Sequence, residues 1–246
     1  MKLPRILLLE DDPALRLFVQ LVLKPLSVDV VACSTLAEAR QALEDDSVQL
    51  VFTDLTLPDG SGLDLLQWLQ ARTQPSDTTY RAVVFSGGVN VEMDPKLKAL
   101  QVWRVLHKPA SVGSLMACVA DALASLVTAV STASPAIEGL WSDPEAEFFG
   151  GNRALYDAYR AASLAQFPHD LDDADLAART GDAQTLRRVA HNVKSVLTML
   201  GDISAAQQAR VVEEAAARGD DSETLYAAWR LLRSQMQDHM AKALSK

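Results

Sequence analysis

In the first half of the chain, apolar residues alternate between short continuous runs and helical periods. RILLL is followed by an amphipathic stretch from Pro13 to Leu23, VDVVAC by Leu36 to Leu43, and QLVFTD by Leu63 to Leu69. AVVFSG and RVLHKP follow, the latter leading into a helical pattern from Val112. Apolar runs of this length fit strands covered on both faces, so the order predicts a (βα)5 unit: a doubly wound α/β domain with a parallel sheet. GGVNVEMDPKLKALQV, with two Gly and Pro95, reads poorly as the fourth helix. Beyond the Ser/Thr/Pro/Ala-rich VSTASPAIEG the strand pattern stops. Helical periods broken at Gly151, Pro168, Gly181, Gly201 and Gly219 predict an all-α helical bundle, with the boundary between residues 126 and 148.

Within AHNVKSVLTMLG, at roughly 100° per residue, Leu186, Ala190, Val193, Leu197 and Leu200 fall within about 80° of one another. His191, Lys194 and Ser195 lie about 80 to 180° round from Leu186 and are expected to face solvent.

The chain has 246 residues, 49% of them hydrophobic, enough for two domains each with its own core. A net charge of −9 disfavours a binder of nucleic-acid backbone, which needs a positive surface. Cys33 and Cys118 have no metal-type spacing, which suggests reduced thiols and a cytoplasmic protein. MKLPRILLLEDD is interrupted by acids too early to be an export signal. Val112 to Val130 carries Asp121 as its only charge, yet its Gly, Ser and Thr content and central acid fit a helix packed on a sheet better than a membrane span.

Ligands of a doubly wound sheet sit at the carboxyl ends of its strands. There the first run ends in Glu10-Asp11-Asp12 and the third in Asp54. Carboxylates crowded in one crevice repel unless a cation or proton intervenes, and an all-oxygen site suits Mg²⁺ and substrate phosphate. Ser86 and Lys108, at the ends of the fourth and fifth runs, bring a hydroxyl and an ammonium to the oxygens of a phosphoryl group on Asp54.

Through LLLEDDPALR, DLTLPDGSG, VVFSGG and HKP, residues 3 to 127 resemble the receiver domain of bacterial response regulators, a flavodoxin-like fold. The resemblance implies that Asp54 accepts the phosphoryl group and that Glu10 and Asp11 hold Mg²⁺. The Thr56 carbonyl would complete its shell, Ser86 would sense the phosphoryl group and Lys108 would pair with it. Asp12 is expected to cap the first helix. One position departs from the family: three residues before the lysine, where receivers commonly carry Tyr or Phe, stands Val105, with Trp103 two residues earlier.

In the second half, Lys194 lies about one turn from His191, able to bind a phosphoryl oxygen, and Ser195 is small enough to let another backbone approach. An imidazole with a pKa near 6.5 is a nucleophile at neutral pH. AHNVKSVLTMLG and ISAAQQARVVEEAAARGD, preceded by FFGGNRALYDAYRAASLAQFPHDL, resemble the histidine-containing phosphotransfer (HPt) domain, a four-helix module. The resemblance implies that His191 carries phosphate beside Lys194, with Ser195 where the family usually has Gly. His107 reads as a loop residue, His169 as lying at a helix start after Pro168, and His239 as part of a polar final helix. The aromatics from Trp141 to Phe167 read as core.

The two resemblances divide the chain into a receiver at 1–127, a linker at 128–138 and an HPt bundle at 139–246. They imply a phosphorelay intermediate: Asp54 accepts from a sensor histidine kinase or a phosphohistidine, and His191 exchanges with the aspartate of a downstream receiver. No ATP-binding loop is visible, so the expected chemistry is phosphotransfer, not multiple-turnover catalysis. The alternative is a phosphorylation-gated binding regulator whose helical domain docks a partner without relaying phosphate.

Overall fold

The structure, a computed structural model, describes residues 3–45, 48–72, 80–87, 93–124 and 143–244. The linker at 128–138, Trp141 and residues 88–92 lie outside them. The chain divides into two compact units, residues 1–11 with 16–153 and residues 12–15 with 154–246.

The first unit carries the five expected strands: β1 (Arg5–Leu9), β2 (Asp29–Cys33), β3 (Leu50–Thr53), β4 (Arg81–Ser86) and β5 (Val102–His107). All pair in parallel, in the order β2-β1-β3-β4-β5. The central strands β1, β3 and β4 are buried almost throughout, as their continuous apolar runs require. Each strand is followed by a helix: α1 (Pro13–Leu23), α2 (Leu36–Asp45), α3 (Gly62–Arg72), α4 (Asp94–Ala99) and α5 (Val112–Ala124). The fourth helix is only six residues long, in keeping with its irregular pattern. In α5, Leu115, Cys118, Val119 and Ala122 make one buried stripe. Burial pushes the Cys33 and Cys118 thiols up to about 11, which makes both poor nucleophiles.

The order places the topological switch between β1 and β3, paired from Ile6–Leu50 to Leu9–Thr53. The residues that follow those strands, Glu10 and Asp54, therefore emerge side by side. A short helix, α6 (Pro144–Phe149), capped by Asp143, also belongs to this unit.

The second unit is all-helical: α7 (Arg153–Thr180), α8 (Ala183–Met199), α9 (Ile203–Arg218) and α10 (Ser222–Leu244). The links between them share one local solution. Gly181, Gly201 and Gly219 take φ of +72°, +82° and +73°, and Asp182, Asp202 and Asp221 then accept the amide hydrogens of Thr185, Ala205 and Thr224. Pro168 does not break its helix, against expectation: α7 runs through it. The missing amide hydrogen and the ring strain cost about 3 kcal/mol. Buried Phe167, Leu171 and Ala174 on either side offset that by packing. His169 accordingly lies inside α7, exposed, not at a helix start. Asp175 ties α7 to α10, accepting from Trp229 Nε1 at 2.7 Å and Arg233 Nε at 3.0 Å. No helix among the described residues is long and apolar enough to cross a membrane.

Candidate functional site

The acidic crevice lies at the carboxyl edge of the sheet. Glu10, Asp11 and Asp54 each bring one carboxylate oxygen into a cluster whose members lie within 4.8 Å of one another. Glu10 and Asp54 are fully buried, while Asp11 is partly open. The Lys108 Nζ sits 2.6 Å from Asp54 Oδ2 and 2.6 Å from Glu10 Oε2. Those two carboxylates hold the Lys108 ammonium above its ordinary range, although burial, the largest single influence, opposes them. Glu10 is pushed well above the usual carboxylate range, chiefly by burial, with Asp54 and Asp11 adding repulsion and Lys108 opposing. A crevice with surplus negative charge and hard oxygen donors, one of them reachable by water, fits a divalent cation.

The backbone fixes these acids. Asp54 Oδ1 accepts from the Leu55 and Thr56 amides, leaving Oδ2 toward Lys108. Arg16 Nη1 donates to the Glu10 carbonyl at 2.6 Å and to the Asp11 carbonyl at 3.2 Å, which steadies the acidic turn. Asp12 Oδ1 accepts from the Leu15 amide at 2.7 Å, the cap that was expected. Ser86 is buried at the end of β4, and Lys108 follows β5. His107 is the last residue of β5, exposed, and not in a loop.

Two residues of DLTLPDGSG hold up this edge and were not singled out from the sequence. Asp59 accepts from the Leu36 and Ala37 amides at 2.9 and 3.1 Å and so caps α2 across the loop. A Cβ at Gly62 would lie 1.9 Å from the Asp54 carbonyl oxygen and 2.3 Å from Thr53 Oγ1, so α3 can start against the end of β3 only with glycine there. Val105 packs against the core cluster that includes Leu97 and Val84. Trp103 is stacked by the guanidinium groups of Arg81 and Arg104 at 4.7 and 4.3 Å.

The second candidate centre departs from expectation. His191 is not solvent-facing: it is only 3% exposed, and Ser195 only 4%. The buried arc of α8 takes in Leu186, Val189, Ala190, Val193, Val196, Leu197 and Met199 as well as these two polar residues. Periodicity identifies the apolar face of a helix but is blind to a polar face that is also covered. For His191 the partner that makes this possible is Glu213 of α9, which was not identified from the sequence. His191 Nδ1 lies 2.7 Å from Glu213 Oε1, and Lys194 Nζ donates to Glu213 Oε2. Burial raises the Glu213 carboxyl, but hydrogen bonds and charge from His191 and Lys194 outweigh it and bring the group down to about 2. A signal was present: Glu213 interrupts the stripe Ala206, Ala209, Ala216 on α9, and an acid on such a stripe needs a buried donor.

An ionised carboxylate only accepts hydrogen bonds, so Glu213 requires the hydrogen of the neutral imidazole on Nδ1. In that tautomer the lone pair lies on Nε2, an enclosed atom without a hydrogen-bond partner. His239 pairs through Nδ1 with Asp202 at 3.0 Å and meets the edge of Phe167, in keeping with a structural role.

Residues 6–120 match the family described as the response regulator receiver domain. Over 119 residues the chain is 33% identical to the response regulator protein PilR of Pseudomonas aeruginosa, a match covering 48% of this chain and 25% of that protein. It is 29% identical over 105 residues to the response regulator receiver protein CpdR of Brucella abortus, covering 43% and 84%. The chain thus spans about a quarter of the length of the first relative and most of the second. Among solved structures, the signal receiver domain of a Luxo repressor protein from Vibrio parahaemolyticus aligns with a TM-score of 0.47 at 28% identity, covering 51% of this chain and 94% of that one. A CheY-like response regulator receiver domain protein from Methanospirillum hungatei gives a TM-score of 0.47 at 21% identity, covering 51% and 98%.

Proposed function

From a chain whose residues 6–120 are a response regulator receiver domain, we propose a phosphorelay protein in which the helical unit is an HPt four-helix bundle and Asp54 and His191 are the two phosphoryl carriers. The observation that supports the reading is the Glu213–His191 contact, which engages Nδ1 while Nε2 has no hydrogen-bond partner. In the domain organisation proposed here the receiver spans 1–127, the linker 128–138 and the HPt bundle 139–246.

At the first centre the Leu55 and Thr56 amides orient the Asp54 carboxylate by Oδ1, and Oδ2 attacks phosphorus. The bond from Asp54 oxygen to phosphorus forms as the bond from a kinase's phosphohistidine nitrogen breaks, and the imidazole leaves with the electron pair. Lys108 transfers its ammonium from the Asp54 carboxylate to a phosphoryl oxygen, and the Ser86 hydroxyl donates to another. Glu10, Asp11, Asp54 and the Thr56 carbonyl would hold Mg²⁺, which when bound offsets the charge of the phosphoryl oxygens.

At the second centre the Nε2 lone pair takes the phosphoryl group from the acyl phosphate of a receiver, whose carboxylate departs with the electron pair. The Nδ1 hydrogen stays on the Glu213 side, so the positive charge gathered by the ring faces a carboxylate. The partners are a sensor histidine kinase and a downstream receiver, and the location is the cytoplasm.

Phosphotransfer profiling of the full chain against the organism's kinases and receivers tests this. Asp54→Ala should abolish acceptance from the kinase. His191→Gln, at matched helicity and melting behaviour, should abolish exchange with the cognate receiver. The burial of His191 favours a second reading, a phosphorylation-gated regulator whose helical unit docks a partner without carrying phosphate. Acid-labile, base-stable label on His191 is required by the relay and excluded by that alternative.

A further inference from the structure

Helical hydroxyls ordinarily satisfy themselves on the carbonyl four residues back. In the second unit Ser163 donates to the Tyr159 carbonyl at 2.9 Å, Thr180 to that of Leu176 at 3.0 Å and Thr198 to that of Lys194 at 2.8 Å. Ser195 has the His191 carbonyl at the same offset and does not use it: its Oγ is enclosed and without a partner. His191 Nε2, one helical turn away on α8, is in the same condition. An enclosed polar atom left without a partner costs about 1 to 3 kcal/mol. Two such atoms on residues i and i+4, whose Cβ atoms stand about 5 to 6 Å apart, make a complementary pair of vacancies. Nε2 offers a lone pair and Oγ a proton, and they do not satisfy each other.

We infer that the Ser195 hydroxyl binds the phosphoryl group carried by His191, donating a hydrogen bond to one of its oxygens; the inference rests on the phosphotransfer reading above. A phosphoryl group on Nε2 fills one vacancy with its bond to phosphorus and the other with an acceptor oxygen. Lys194, the cation expected for this task, is engaged with Glu213 Oε2, so its charge balances the carboxylate that holds the ring. Ser195 is a donor one turn away that is not committed elsewhere. Because the HPt resemblance has Gly at this position, the contact belongs to this chain and not to the general motif.

The test uses the full chain treated with phosphoramidate and Mg²⁺, with phosphohistidine told apart from acyl phosphate by phosphorus NMR. The wild-type protein is compared with Ser195→Ala and Ser195→Thr. In the wild type, label is expected on His191 as well as on Asp54. Ser195→Ala should shorten the phosphohistidine lifetime about tenfold, the factor a hydrogen bond to a charged group supplies, and move its phosphorus resonance. Its melting temperature should be unchanged or higher, since an enclosed hydroxyl without a partner has been removed. Ser195→Thr, which keeps the hydroxyl, should restore both lifetime and resonance. Equal lifetimes and resonances in wild type and Ser195→Ala would overturn the assignment of Ser195 and leave the relay standing. Label on Asp54 but none on His191 in the wild type would overturn the relay itself, and the role of Ser195 with it.

Discussion

His191 Nδ1 and Glu213 Oε1 stand 2.7 Å apart, joining α8 to α9 through a carboxylate that Lys194 grips from its other oxygen. Glu213 has its folded-state pKa lowered from 4.5 to about 2, so its charge stabilises the fold fully above pH 4.5 and progressively less as pH falls toward 2. Glu213→Gln, which never ionises, should be less stable than wild type by a margin that shrinks as pH falls from about 4.5 toward 2. Urea denaturation followed by far-ultraviolet circular dichroism across that range checks it. A margin that grows on acidification would contradict the assignment.

The burial of His191 has a chemical consequence. Diethylpyrocarbonate attacks accessible, unprotonated imidazole nitrogen, and Nε2 of His191 is enclosed whereas His169 on α7 is exposed. Peptide mass spectrometry at neutral pH should show His169 modified well before His191. Equal rates would mean that His191 is open in solution.

Gly62 stands against the backbone at the end of β3, where Asp54 follows. Gly62→Ala would put a methyl group 1.9 Å from the Asp54 carbonyl oxygen, a clash with main chain that only backbone movement relieves. It should cost about 1 to 3 kcal/mol and slow phosphoramidate labelling of Asp54, as read by mass spectrometry. A variant with unchanged stability and labelling would show that α3 can withdraw freely from β3.

Lys108 is the buried cation between Glu10 and Asp54. Lys108→Ala leaves those carboxylates enclosed without it and should destabilise the protein by about 3 to 5 kcal/mol. Urea denaturation of the two proteins in chelator measures the loss.

Mg²⁺ binding to the folded acidic cluster should raise stability, by about 2.7 kcal/mol at a hundredfold excess over its Kd. Asp11→Asn, altering the one partly open acid of the cluster, should remove most of that gain. Thermal melts with and without Mg²⁺ decide it. Equal gains in both proteins would exclude Asp11 from the cation site.

By itself the sequence determined the first unit and the placement of its acids. Five continuous apolar runs alternating with amphipathic periods allow few arrangements other than a covered parallel sheet, and strand-end residues of such a sheet must gather at one edge. Glu10, Asp54, Ser86 and Lys108 were therefore legible before any coordinate. The same held for the breaks at Gly181, Gly201 and Gly219 in the second unit, where glycine acts through its own backbone. What only the tertiary structure decided concerns residues whose partners are distant in the chain. Pro168 stays within α7 because packing on both sides outweighs a local penalty. Asp59 caps a helix 22 and 23 residues away. His191 is enclosed, not exposed, because Glu213, 22 residues further on, supplies the hydrogen bond that permits an imidazole to be buried. Periodicity records which face of a helix is apolar, whereas burial of a polar face depends on whether another element brings the complementary charge, and no pattern within one helix contains that information.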